Sequence, residues 1–203
     1  MENKQPSLKE MFERANEYND LADIGKIARR AFANNSFDGV LTIIGVLMGS
    51  YTAGIKDAWI VVNTGLTTAV AIGISGFWGS YLAETAERKK EIDELGRSTL
   101  TDLNGSKLGR ASRFAVKAVS LVDGLSPFLA SMVVLSPFFF EKYFASIETV
   151  YFSALGMALV ALFALGMFLG KISKHNILVY GLKTMVAGVV SIIISTLISV
   201  RGK

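Results

Sequence analysis

The chain has 203 residues, 51% of them apolar, with 21 Lys and Arg against 17 Asp and Glu and a mean hydropathy of +0.44. A soluble domain that must also present a charged surface does not reach that balance, so water is not the only solvent of this chain. There are no cysteines, which excludes thiolate metal sites and disulfides.

The first 35 residues are polar and charged, and no short apolar stretch followed by a small-residue cleavage site occurs in them. No removable signal peptide is read there, and the mature chain is expected to start at Met1. Residues 7–32 predict one or two amphipathic helices. Ser7 and Glu10 have capping-box spacing, and Leu8, Met11, Phe12, Ala15, Tyr18 and Ala22 fall on one face. This segment is expected to lie on the membrane or to pack on a cytoplasmic loop.

Five apolar runs follow: Phe37–Ile55, Trp59–Leu82, Ala118–Phe140, Ile147–Gly170 and Ile177–Val200. At ~1.5 Å per residue each covers roughly the ~30 Å hydrocarbon layer. The fold class is therefore an all-α integral membrane protein with five transmembrane helices: an N-terminal segment, 1–35, and a membrane domain, 36–203. Lys56-Asp57-Ala58 and the stretch from Glu141 to Ser146 are short enough to make tight hairpins. In the loop of 83–117, ETAERKKEIDELGRS continues span two without a breaker until Gly96, which predicts a helical extension beyond the membrane.

Sixteen Lys and Arg fall in the N-terminal segment, the loop after span two and the loop after span four; four fall on the opposite side, and Lys183 lies inside span five. The positive-inside rule places the N-terminus in the cytoplasm and the C-terminus outside. The pI of about 9.3 does not imply nucleic acid, because the basic residues flank spans, where anionic lipid headgroups account for them.

Charged residues inside spans are costly and mark functional candidates. Asp38 stands at the cytoplasmic start of span one and Asp123 about two turns into span three, each followed by glycine. Hard carboxylate oxygens at that depth suit a divalent cation or a proton. Asp38 also reads as a helix N-cap. Pro127 frees the carbonyl of Asp123, so a side-chain and a main-chain oxygen could share a cavity; a packing kink is the alternative. Lys183 reads as a snorkelling residue or as a partner of Asp123. Met48, ten residues beyond Asp38, is expected near the same helical face, as a soft contact in the path or as packing.

Glu84, Glu87, Glu91 and Glu94 have the spacing of one helical face below span two, and Glu10, Glu13, Glu17 and Asp20 repeat it in the N-terminal helix. Such stripes could collect divalent cations. Equally, Glu84–Arg88 and Glu10–Arg14 read as ordinary ion pairs on solvated helices. Gly65, Ala69, Gly73, Gly76 and Ser80 give span two a face for close helix contact, within one chain or between two. The lone His175 sits in a turn, no Ser/His/Asp set, P-loop or His cluster can be assembled, and an enzyme is not expected.

Phe37-Asp38-Gly39-Val40-Leu41-Thr42 followed by Gly45 resembles the Asn-Asp-Gly-Leu-Val-Thr opening of span one in the vacuolar iron transporter family, and Gly79-Ser80-Tyr81-Leu82-Ala83 resembles its Gly-Glu-Tyr-Leu-Ser at the end of span two. The resemblance covers roughly residues 34–200. It implies a homodimer in the lipid bilayer that exports Fe2+ or Mn2+ from the cytosol in exchange for protons, with no permanently bound cofactor. Asp38 would match the aspartate of the transport path, and Glu84, Glu87, Glu91 and Glu94 the cytoplasmic cation-collecting helix. Ser80 stands where the family has a glutamate, Gly76 where it often has a methionine, and the loop of 83–117 is short beside the family's metal-binding domain. Asp123 is the expected local substitute for the lost carboxylate. A cell membrane is the expected location, or a vacuolar membrane for a eukaryotic source. The alternative is a non-transporting scaffold that recruits a partner through its cytoplasmic helices.

Overall fold

The structure is a computed structural model that describes residues 8–201, with side chains at residue 13 and residues 15–198. The capping box at Ser7 and Glu10, the apolar positions Leu8, Met11 and Phe12, and the Glu10–Arg14 pair lie outside the described residues and side chains.

Six α-helices follow in chain order: α1 Leu8–Ala22, α2 Ile24–Thr52, α3 Ala58–Thr99, α4 Lys107–Phe139, α5 Ile147–Ile172 and α6 Ile177–Arg201, with a 3-10 turn at Glu141–Tyr143. No strand occurs among the described residues. The last five helices are long and apolar enough to cross a membrane. Their turns are closed by local chemistry. Gly54 takes φ +72° between α2 and α3, Asp57 accepts the Trp59 N–H at 2.8 Å, and Ser146 and Asn176 cap α5 and α6.

Two ends differ from the sequence reading. Gly96 does not stop α3; the Thr101 N–H bonds to the Gly96 carbonyl and Leu100 takes φ 53°, so Gly96 lies inside a Schellman cap rather than past it. The second difference is at α4, which starts at Lys107, eleven residues before its apolar run. The break between α1 and α2 is the left-handed Asp23 (φ 50°), and from Ile24 the helix runs on past residue 35.

The helices fold as two compact units. One comprises Phe32–Ser75 and Gly124 onward. Its core joins Val40, Ile43, Ile44 and Leu47 of α2, Val61 and Val62 of α3, Val134, Leu135 and Phe138 of α4, and Val150, Tyr151, Ala154, Ala158 and Leu162 of α5. Lipid is as apolar as these side chains, so close fit and interhelical hydrogen bonds hold the helices together rather than escape from solvent. Tyr151 donates to the Ile55 carbonyl at 2.9 Å while its ring meets Phe138 and Tyr51 edge-on. Backbones approach where side chains are absent. A Cβ on Gly73 would stand 2.8 Å from the Gly124 carbonyl oxygen and one on Gly65 2.8 Å from Leu135, so the N-terminal part of the small-residue face of α3 is used within the chain. Gly166, Gly170, Gly181 and Gly188 do the same between α5 and its neighbours. The outward face of α6 is a continuous band of exposed Leu182, Val186, Val190, Ile193, Ile194 and Leu197, a patch that suits acyl chains and not water. Trp59, Phe140 and Tyr143, all exposed, mark the α2–α3 and α4–α5 turns as aromatic side chains mark a membrane–water boundary.

The other unit comprises the chain up to Ala31 and Gly76–Asp123. Ile24, Ala115 and Val119 form its core, with Tyr18, Ala22, Ile27 and Ala118 packed around them. Lys107 bonds Glu17 at 2.7 Å, and Tyr18 meets the Phe114 ring at 5.7 Å. The C-terminal part of α1 therefore packs on α4 through Tyr18 and Ala22.

Candidate functional site

Two places carry charge with geometry behind it. In the smaller unit, Glu84, Glu87 and Glu91 of α3 line one groove of about 430 Å³ together with Asp23. The +3, +4 spacing brings the glutamates to one face, and the left-handed turn at Asp23 brings a fourth carboxylate to them. The one basic residue lining this groove is Arg88, 8% exposed, which gives its Nε–H to Glu84 at 2.9 Å. The expected ion pair is thus present, and three carboxylates line the groove in excess of it. Glu94 does not line it and lies 3.9 Å from Lys90 instead. Sequence reading missed Asp23, whose only signal was its position between two helical segments.

At the membrane end of the same unit, Asp123 is half-buried and shares a side-chain hydrogen bond with Ser80, in the electrostatic field of Glu84. Ser80 is therefore bonded to a carboxylate from the next span. Among the described residues, no three His, Cys, Asp or Glu side chains converge closely enough to hold one metal ion.

The second place is on α2, in the larger unit. Asp38 is exposed, and its main-chain carbonyl accepts the Thr42 hydroxyl at 2.8 Å. It is not an N-cap, since α2 begins fourteen residues earlier. Gly39 next to it packs inward: a Cβ there would stand 2.5 Å from the Pro127 carbonyl oxygen and 2.7 Å from its Cα. The expected placement of Met48 is corrected. Ten residues at ~100° each leave it about 80° round the helix from Asp38, and it is 6% exposed in the apolar core. The residues that do share the face of Asp38 are Thr42, Gly45 and Gly49. Both glycines are exposed, and a Cβ added to either would meet nothing within 4 Å. Lys183 is exposed and sits 5.6 Å from the Tyr180 ring centroid, one turn toward the α5–α6 connection, as a snorkelling lysine does.

Five apolar helices, lipid-suited outer faces and charge confined to few places define a multi-pass helical membrane protein. No protein-family model matches the chain. It is similar to a Methanocaldococcus jannaschii protein, "Uncharacterized protein MJ0645", at 32% identity over 173 residues, 84% of this chain and 87% of that protein. The chain belongs to the same family as MJ0645.

Proposed function

We propose that the protein is a divalent-cation transporter that moves Fe2+ or Mn2+ as substrate out of the cytosol, as a homodimer and in exchange for protons. The observation that carries this reading is Asp38, a carboxylate exposed on a membrane-spanning helix face whose other residues are small or lack a side chain. A carboxylate at the end of a span costs less than one at the bilayer centre, yet it still favours a cation or a polar cleft over acyl chains. Gly45 and Gly49 have GxxxG spacing, which lets a second copy approach closely. A two-fold contact along this face would bring two Asp38 carboxylates toward one path, a hard-oxygen setting suited to a divalent ion.

The distribution of sixteen Lys and Arg on one side against four on the other supports an N-terminus in the cytoplasm, an outward C-terminus and a cytoplasmic extension of α3. On that orientation Glu84, Glu87 and Glu91 raise the local concentration of cations, and Asp123 and Asp38 take them into the membrane. Met48, in the core, serves packing. Exchange of a bound metal for protons on these carboxylates drives alternating access. The cell membrane is the proposed location. The alternative, a non-transporting scaffold that recruits a partner through its cytoplasmic helices, cannot use Tyr18 and Ala22 of α1, which are packed in the core shared with α4.

Two variants test parts of this reading. Glu87→Gln/Glu91→Gln leaves the Glu84–Arg88 pair intact and is expected to raise the Mn2+ concentration for half-maximal flux about fivefold at low salt, with the difference shrinking as the Debye length falls from ~30 Å at 0.01 M to ~3 Å at 1 M. An unchanged half-saturation removes the groove from the mechanism. Gly45→Leu/Gly49→Leu is expected to shift the detergent-solubilised protein from dimer to monomer in native mass spectra; dimers that persist place the interface elsewhere.

A further inference from the structure

Beside the acidic groove, a second pocket of about 280 Å³ opens between α3 and α4, and its charge is opposite. Arg88, Lys89, Arg113 and Lys117 line it, with no carboxylate among its lining residues. Two of these cations are held before any ligand arrives. Arg88 is 8% exposed and anchored through Nε on Glu84. Arg113 donates from Nη1 to the Asn104 carbonyl at 3.0 Å. Asn104 is fixed in turn by Asp102, whose carboxylate accepts its main-chain N–H and its Nδ2, each at 2.9 Å. Those bonds hold the Asp102 carboxyl below its ordinary value, so the turn keeps its charge well into the acid range. Ser106 caps α4 below it, accepting the Gly109 N–H at 3.2 Å.

Glu84 compensates Arg88, but no carboxylate of the lining faces Lys89, Arg113 and Lys117, and a multivalent anion offsets their mutual repulsion while using the guanidinium forks that match phosphate oxygens. Thr85, Ser112 and Tyr81 add hydroxyl groups to the lining, and Val116 and Ile92 add an apolar wall. Tyr81 and Lys117 stand where the apolar runs of α3 and α4 end, at Leu82 and Ala118. One end of the pocket therefore adjoins the apolar runs, where basic clefts between membrane helices meet anionic lipid. We infer that this pocket binds a phosphate group, carried by an anionic phospholipid headgroup or by a soluble phosphate.

The test uses the full chain in detergent, with dioleoyl phosphatidylglycerol, dioleoyl phosphatidylcholine and inorganic phosphate as probes. Native mass spectra of the wild type are expected to show phosphatidylglycerol retained about fivefold over phosphatidylcholine, and Lys89→Gln/Lys117→Gln to lose that preference. Lys89→Arg/Lys117→Arg, which keeps the charge, is expected to retain it, which separates loss of the site from loss of the fold. Lipid retention that millimolar phosphate does not displace assigns the headgroup as ligand. Displacement, or a phosphate-dependent rise in the melting temperature seen in wild type and absent from the Gln variant, assigns the soluble anion. Equal retention of both lipids by the wild type with no phosphate effect, or the same preference in wild type and Gln variant, overturns the proposal.

Discussion

Asp38→Asn is expected to lower Mn2+ and Fe2+ flux in proteoliposomes about 100-fold or more, with helix content and assembly unchanged. The two side chains are nearly the same size, so the fold has little reason to respond. Asp38 is exposed, and its contribution to α2 is a main-chain carbonyl that accepts the Thr42 hydroxyl, which Asn retains. What changes is the charge. A neutral amide inside a span offers a cation one weak oxygen in place of a carboxylate, and nothing to protonate on the return step. Flux that survives in Asp38→Asn would take this residue out of the transport path, whatever else the protein carries.

The neighbouring glycine is expected to fail in the opposite way. Gly39→Ala would place its methyl group 2.5 Å from the Pro127 oxygen and 2.7 Å from the Pro127 Cα, both backbone atoms that no rotamer change can move. The helices must separate or the chain must bend, at a cost of about 1–3 kcal/mol for such overpacking. Further anchors resist separation: Ser36 Oγ donates to the Ser126 carbonyl at 3.4 Å, and Ser131 Oγ reaches the carbonyls of Gly39 and Pro127 at 3.5 and 2.7 Å. A fall of several degrees in the melting temperature is therefore expected, while Gly156→Ala, whose added methyl meets nothing within 4 Å, is expected to melt with the wild type. Equal melting of the two variants would contradict the close approach of α2 and α4. The pair of results also separates the two halves of the Asp-Gly pair: the proposed role of the aspartate is on the substrate, that of the glycine on packing.

Hydropathy made the spans legible because a helix in lipid needs about twenty apolar residues in a row, and loops and caps between them are short and polar. It could not reach the first turns of α4, since Lys107–Lys117 is basic and has no apolar run. Spacing carries the missing signal: Ala111, Ala115 and Val119 recur every four residues and are buried. The groove was half legible. Periodicity gathers Glu84, Glu87 and Glu91 on one face, but Asp23 joins them through a turn between α1 and α2 that no local pattern announces. The partnership of Ser80 with Asp123 joins residues more than forty positions apart, and no pattern within one segment shows what stands opposite it. Met48 was misplaced by arithmetic alone, for eleven residues and not ten return an α-helix to nearly the same face. The glycines between α5 and α6 look like ordinary span residues in sequence, and their role emerges only from the helix that fills the space beside them.

The most direct test of transport is the flux of Mn2+ and Fe2+ into proteoliposomes holding the wild-type protein, measured with and without an imposed pH gradient. Accumulation that depends on the gradient, and that moves protons in the opposite direction, is the predicted result. Absence of flux from folded, dimeric protein under both conditions would contradict it.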